Sequence, residues 1–354
     1  MHPRRAFLLA LLAARGTAWA ATPGALRFPV DFGAHPASRI EWWYITGALD
    51  SAAGTAGFQI TFFRAATGIE AAAASRFAAR QIVFAHAAVT DLTQRRLRHD
   101  QRIARSGFGI AGAADGDTDL VLRDWRLKRS EHAGGSRYDT SASSATGGFG
   151  FDLVLDATQP VLLQGAGGLS KKGPDPAQTS RYYSEPQLAV RGTLRLEGAS
   201  TEIAGRAWLD HEWSDSILDP RAVGWDWIGI NLDDGGALTA FRLRRADGSA
   251  LWSGGSHRPA GGETRDFANG EAAFEPGRIW QSPSSRARYP MEWRITTPVG
   301  SFVVRSLLDD QELDSRGSTG AIYWEGLSLL EDAQGRRVGR GYLEMTGYAT
   351  RLVL

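Results

Sequence analysis

The segment RAWLDHEWSD (206–215) places Asp210, His211 and Glu212 in succession between Trp208 and Trp213. A carboxyl group beside a large indole loses hydration, its charged form is penalised, and it can hold and then donate a proton near neutral pH. His211 is the residue type that could serve as acid–base partner. Two further acids have the same aromatic company. Glu41 precedes Trp42 and Trp43 in EWWY, and Asp226 lies between Trp225 and Trp227 in GWDW. With 12 tryptophans in the chain, indoles gathered around acids point to the walls of a ligand chamber. The competing reading is a strand whose polar side chains face water, the ordinary state of a lone strand carboxylate.

Other chemistries have less support. His35, His86, His211 and His257 show neither His-x-x-x-His nor His-Glu-x-x-His spacing, so no metal is expected. The chain has no cysteine, which excludes disulfides, thiolate sites and a cysteine nucleophile. A Gly-x-Ser-x-Gly elbow is absent, and Ser170-Lys171-Lys172 reads as a basic loop near a barrel mouth. His86, in FAHAAVTD, fits a hydrogen-bonded barrel position bordering the pocket. Tyr182, Tyr183, Tyr323, Trp324 and Glu325 stand at strand starts as part core, part pocket wall. Nothing in the chain calls for a cofactor.

These residues must be positioned by strands. Runs such as FQITFFR (58–64), FGFDLVLD (149–156), LAVRGTLRLEG (188–198) and SFVVRSLL (301–308) alternate with period two and are separated by glycine-rich turns. Helix is confined to two candidates, at 69–80 and 214–220. In AWLDHEW the alternation sends Trp208, Asp210 and Glu212 to one face, and Ala207, Leu209, His211 and Trp213 to the other. The chain also resembles itself. EWWYITGALDSAAGTAGFQITFFR (41–64) is similar to GWDWIGINLDDGGALTAFRLRR (224–245), and YYSEPQLAVRGTLRLEG…GRAWLDHEW is similar to YWEGLSLLEDAQG…GRGYLEMTGY in the same order. Two all-β domains of common design are therefore expected, 21–215 and 216–354. Antiparallel lipocalin-like barrels packed together fit this pattern, and a pair of sandwiches fits the periodicity as well.

Composition limits the partners. With 40 basic and 39 acidic residues the formal charge is +1, which gives no field for nucleic acid. MHPRRAFLLALLAARGTAWA (1–20) has a basic start, a short apolar run and Ala18-Trp19-Ala20 as a cleavage site, so a signal peptide is expected. Arg4-Arg5 also fits a twin-arginine signal. No later segment is apolar enough to span a bilayer, and a periplasmic or secreted protein follows. Any envelope transporter acting as partner is left unnamed by the sequence.

At HPASRIEWWYITGAL (35–49), FAHAAVTD (84–91), RYYSEPQL (181–188), AWLDHEW (207–213), GWDWIGINLDDG (224–235) and YWEG (323–326), the chain resembles the AttH-like and carotenoid 1,2-hydratase-like family. The resemblance implies two lipocalin-like domains with a pocket near their junction. It also implies addition of water to an isolated alkene, with a proton donor and aromatic shelter for a cation. On that basis Asp210 takes the acid role, Trp208, Trp225 and Trp227 line the wall, and Glu41 or Asp226 assists water. The His-Glu-Trp after Asp210 is closer to the secreted AttH-like branch than to the hydratases. Two functions follow as expectations: a cofactor-free hydratase or hydrolase of a lipid or isoprenoid, and a lipid carrier that needs the aromatic cavity but not the acids. A third reading, packed barrels with no ligand, requires no cavity.

Overall fold

The computed structural model describes residues 24–69, 75, 77–216 and 218–352. The expected leader, 1–20, lies outside them. The chain forms one 13-stranded and one 10-stranded antiparallel sheet, with a separate two-stranded ribbon. The first sheet contains β1 (Ile40–Ser51), β2 (Gly54–Ala66), β3 (Gln81–Asp91), β4 (Arg96–Arg105), β5 (Ala111–Ala113), β6 (Asp119–Leu122), β7 (Trp125–His132), β8 (Gly135–Ser144) and β9 (Phe149–Asp156). It is completed by β10 (Leu162–Leu163), β11 (Leu169–Lys171), β12 (Thr179–Leu196) and β13 (Ala199–Ser214). The second contains β14 (Ala222–Leu232), β15 (Ala237–Arg245), β16 (Ala250–Arg258), β17 (Arg265–Phe267) and β18 (Ala273–Pro276). After the ribbon of β19 (Ile279–Gln281) and β20 (Arg288–Pro290) come β21 (Glu292–Thr297), β22 (Gly300–Ser306), β23 (Glu312–Asp314), β24 (Ile322–Glu331) and β25 (Arg337–Met345).

Both sheets follow one plan. The first runs β4-β3-β2-β1-β13-β12-β9-β8-β7-β6-β5 and the second β17-β16-β15-β14-β25-β24-β22-β21-β18. In each, the first strand pairs with the last, so β1–β13 and β14–β25 hold equivalent places. The self-similar segments fall on equivalent hairpins: β1–β2 on β14–β15, and β12–β13 on β24–β25. The first sheet nearly closes as a barrel, because β3 and β4 at one end of the path pack on β5 and β6 at the other. The architecture is all-β and lipocalin-like.

Burial explains why some strands alternate and others do not. In β7 every second residue of 125–129 is buried and the rest face water. β1 and the second half of β13 are buried on both faces. One face looks into the first barrel, whose interior is filled by Trp43, Ile45, Phe58, Ile60, Ala207, Leu209 and others. The other face is covered by the second sheet, and Tyr44, Ala48, Trp208, Trp227, Phe241, Leu327 and Tyr342 form a separate apolar cluster in that seam. The sheets approach closely at Gly57, where a Cβ would sit 2.5 Å from the Tyr342 hydroxyl oxygen. The second sheet, termed a barrel for its lipocalin-like plan, has its own core around Ile228, Trp293, Trp324 and Leu343.

Neither helical candidate forms a helix in its described residues. Beyond β2, residues 67–69 and 78–80 are irregular, and residues 70–74 and 76 lie outside the description. At 214–220, Ser214 ends β13 and the Ala222 amide closes a turn on the Asp219 carbonyl. The one helical element among the described residues is a 3-10 turn, Val30–Phe32.

Candidate functional site

The register β1–β13 is unbroken from Ile40↔Ser214 to Asp50↔Ala204, so strict alternation holds through AWLDHEW. Asp210 and His211 consequently face opposite sides of one strand and build two separate clusters.

Asp210 points into the seam, between Tyr44 of β1 and Ser184 of β12. It is 4% exposed. Its Oδ1 accepts from Trp208 Nε1 at 2.6 Å and Ser184 Oγ at 2.5 Å, and its Oδ2 from the Tyr182 hydroxyl at 2.7 Å. Burial pushes its pKa up from 3.8 to about 7, against the pull of these three donors and helped by the charge of Glu212. No cation bonds to it among the described residues. Two residues along the same face, Glu212 accepts from Ser180 and pairs with Lys172 Nζ at 2.8 Å. That ammonium also lies 4.7 Å from the Tyr182 ring centroid and 4.5 Å from that of Phe241. The Trp227 indole meets Tyr44 edge-on at 5.4 Å and Trp208 at 6.4 Å. Together these residues surround a carboxyl of raised pKa with neutral donors and aromatic rings.

His211 points into the first barrel. Its Nε2 donates to Glu41 Oε1 at 2.8 Å and its Nδ1 accepts from the Tyr183 hydroxyl at 3.0 Å. Burial lowers its pKa to about 4, which leaves a neutral ring in this tautomer. Glu41 also receives His35 Nδ1 at 2.7 Å, the His35 amide at 2.9 Å and Arg64 Nε at 2.8 Å. Burial would raise this carboxyl, but the histidine bonds and charges outweigh it and hold it well below the usual range. Trp43 stacks on His211 at 4.4 Å and Trp213 on His35 at 3.6 Å. His35, Glu41 and His211 bring three possible metal-ligand atoms within 4.8 Å of one another. Arg64 already supplies a positive charge there, so the residues as arranged form a closed hydrogen-bonded network.

The remaining sequence candidates are dispersed. Asp226 does not join Asp210: it faces the second barrel's interior, held by Arg242 at 2.7 Å, Arg244 at 2.9 Å and the Tyr348 hydroxyl at 2.8 Å. Trp324 faces the same interior, its indole donating to the Asp309 carbonyl. Tyr183, Trp43 and Trp213 belong with Glu41 in the first barrel. Trp42 and Trp225 border the seam. His86 of β3 lies 2.9 Å from the Tyr323 hydroxyl of β24, joining the sheets, and burial lowers its pKa to about 3.

Glu325 is in the seam, directly opposite Glu344 of β25. Glu344 stands to Trp227 and Glu325 as Asp210 stands to Tyr44 and Ser184, so the two sheets present equivalent acids. Burial lifts Glu344 to about 7 and holds Glu325 well above the usual carboxylate range. Around them the buried Tyr44 Oη, Thr46 Oγ1, Gln59 Oε1, Glu325 Oε1 and Tyr342 Oη have no well-aligned hydrogen-bond partner among the described residues. Each such atom costs about 1–3 kcal/mol. A cavity of about 160 Å³ lies beside Trp208, between Thr46, Gln187, Arg206, Asn231 and Arg340, and its lining does not include Asp210, Glu325 or Glu344.

The same architecture recurs in known proteins. A family model described as AttH-like matches residues 20–348. The chain belongs to the AttH-like family. A crystal structure assigned to AttH of Nitrosomonas europaea is 45% identical, with TM-score 0.85, covering 94% of this chain and 100% of that one. Kievitone hydratase from Nectria haematococca superimposes with TM-score 0.69 at 16% identity, covering 92% of this chain and 94% of that one. CghA with Sch210972 does so with TM-score 0.55 at 13% identity, over 89% and 90%. At such identities the last two likenesses concern the fold. No curated protein matches the chain.

Several residues of this AttH-like site escape the sequence reading. Arg64 closes the TFFR repeat, and its equivalence with the arginines of FRLRR is a usable signal for an acid partner inside each barrel. Glu344 is legible as the repeat mate of Asp210, since GRGYLE matches GRAWLD, but its place beside Glu325 is not. Tyr44 and Ser184 follow once β1, β12 and β13 are paired. Lys172, by sequence a loop cation, is 7% exposed and carries no local sign of its burial.

Proposed function

We propose that this AttH-like protein is an exported, cofactor-free enzyme that binds a hydrophobic lipid or isoprenoid in the seam and adds water to it by acid catalysis, with Asp210 as proton donor. The observation that carries this reading is the enclosed Asp210 carboxyl, pushed up to about 7 with no cation bonded to it among the described residues. A group that titrates near working pH is suited to general acid catalysis. On transfer of its proton to an alkene carbon, Trp208, Ser184 and Tyr182 would stabilise the carboxylate left behind. The faces of Trp208 and Trp227 would shelter the cation. Hydrolysis of an acid-labile bond uses the same first step. Membership of the family and the fold shared with a kievitone hydratase support this choice. The reading includes lipocalin-like domains at 21–215 and 216–354, with export by the signal at 1–20.

A carrier is the second reading, and one observation favours it: both Asp210 oxygens are already bonded by protein donors. Native mass spectrometry of protein recovered from the periplasm, followed by incubation of its ligand in oxygen-labelled water, separates the two. Wild type is expected to release ligand bearing the label, whereas Asp210→Asn retains the ligand and loses labelling by about 100-fold or more. Equal labelling by the variant removes Asp210 from the acid role. Unaltered ligand from wild type favours the carrier.

A further inference from the structure

The acid assigned to Asp210 leaves the other half of a hydration unaccounted for: something must hold the water and take its proton. The second sheet offers a pair of carboxyls for this. Glu325 and Glu344 are cross-strand neighbours on adjacent strands, Glu325 buried and Glu344 half-buried. Neither forms an ion pair among the described residues, so nothing basic there neutralises them. The groups facing them are Tyr44 from β1, Asp210 and Glu212 from β13, and Tyr323 and Tyr342 from their own strands, while Asp226 acts on Glu344 by its charge from the opposite face of β14. Behind Tyr323 stands His86. Two like-charged groups this close, one of them buried, do not both ionise readily, and one proton held between them is the ordinary outcome.

The unpartnered polar atoms make the second observation. Glu325 Oε1, the hydroxyls of Tyr44 and Tyr342, Thr46 Oγ1 and Gln59 Oε1 come from β24, β1, β25 and β2, on both sides of the seam. The Tyr44 hydroxyl approaches Glu325 closely enough for each to shift the other's ionisation. Donors and acceptors gathered in this way are satisfied by a small bridging molecule that both donates and accepts. Trp225 Nε1, 3.1 Å from Glu344 Oε2, steadies the other carboxyl.

We propose that Glu325 and Glu344, with Tyr44 and Tyr342, form a water-holding site whose carboxyl pair accepts the proton of the water added to the substrate. This rests on the hydration reading above and deepens it. Asp210 O–H gives its proton to one alkene carbon, water oxygen bonds to the other, and the water's spare proton passes to the glutamate pair. Return of a proton from the pair to Asp210 resets the site, and the net change is alkene plus water to alcohol. The repeat thus divides the task, with an acid on one sheet and its mate as base on the other.

The test uses the mature protein and isotope-labelled water as its probe. Magnetic relaxation dispersion counts long-lived internal waters, and infrared spectroscopy follows the band of protonated carboxyls. Wild type is expected to keep carboxyl intensity at neutral pH that Glu325→Gln/Glu344→Gln removes. In Glu344→Gln the remaining Glu325, relieved of its neighbour's charge, should ionise at lower pH. Glu325→Met should lower the water count. Because Glu→Gln keeps shape and strands no counter-charge, the variants should fold, and Glu325→Gln serves as the second variant for the water count if the methionine does not. A neutral-pH carboxyl band unchanged in the double variant, or an unchanged water count, overturns the proposal. If these fail while Asp210→Asn still abolishes labelling of the co-purified ligand, the acid role stands and only the glutamate pair falls.

Discussion

The two faces of β13 carry buried acids with opposite behaviour, although His211 and Asp210 are adjacent in the chain. On the barrel side Glu41 has Arg64 and two histidines around it and stays ionised. On the seam side Asp210 has three neutral donors and no bonded cation among the described residues, and holds a proton to about pH 7. Burial is nearly the same, at 0% and 4% exposure. Counter-charge therefore decides the chemistry, and the face that lacks it is the one able to give up a proton. The second sheet repeats the contrast, with Asp226 gripped by Arg242 and Arg244 inside its barrel and Glu344 uncompensated in the seam.

The strongest way to break this comparison is to remove the cation. Arg64→Met strands an ionised Glu41 in the barrel and is expected to cost about 3–5 kcal/mol in denaturant unfolding. Asp210→Asn should cost nothing measurable at neutral pH. If the two variants unfold alike, the distinction between the faces is lost.

A slightly smaller effect lies in pH dependence, where the two faces differ in sign. Asp210 has a raised pKa, so its contribution is complete below 3.8 and is lost as pH rises through about 7. Its full span corresponds to about 4 kcal/mol. Glu41 has a depressed pKa, so its contribution is present above 4.5 and is lost on acidification. His211, lowered from 6.5 to about 4, acts in the same direction as Glu41. Unfolding midpoints at about pH 5 and about pH 8 should show Asp210→Asn gaining on wild type at the higher pH. Constant separation of the two curves would contradict a raised Asp210.

Tyr182→Phe sharpens the comparison further, by deleting one donor to Asp210 Oδ2. The Asp210 pKa should rise by an amount worth about 1.4 kcal/mol, and labelled Asp210 carboxyl carbon followed by NMR would show it. A fall would mean that donors do not set the balance. Smallest of all is Arg340→Ala, which cuts the exposed pair with Asp50 that links the two sheets. About 0–1 kcal/mol is expected from calorimetry. A loss as large as that of Arg64→Met would show that the sheets are held by rim charges rather than by the aromatic seam.

Much of this is legible in the sequence. Period two in AWLDHEW is enough to separate Asp210 from His211, because the strand is long and has no bulge there. The paired self-similar segments anticipate two sheets of one plan. What escapes is everything that depends on contacts distant along the chain. Glu41 and His211 are 170 residues apart, so their bond is invisible until β1 pairs with β13. Asp226 reads as an aid to Asp210 because both have tryptophan neighbours, but alternation within GWDW turns it away from the indoles into a barrel. Of the two helical candidates, 214–220 forms a turn at Asp219–Ala222 in its described residues, and most of the alanine run at 70–76 lies outside the description. Lys172 shows the limit most clearly, since nothing near it signals burial against two aromatic rings.

Joining each sheet's opening strand to its closing strand also affects how the chain acquires its shape. β1 must wait for β13, and β14 for β25, before either surface of the seam exists. Such distant closures are slow to form. Asp210 therefore has the acidity of an ordinary aspartate in the unfolded chain and acquires its raised pKa only with both sheets in place around it.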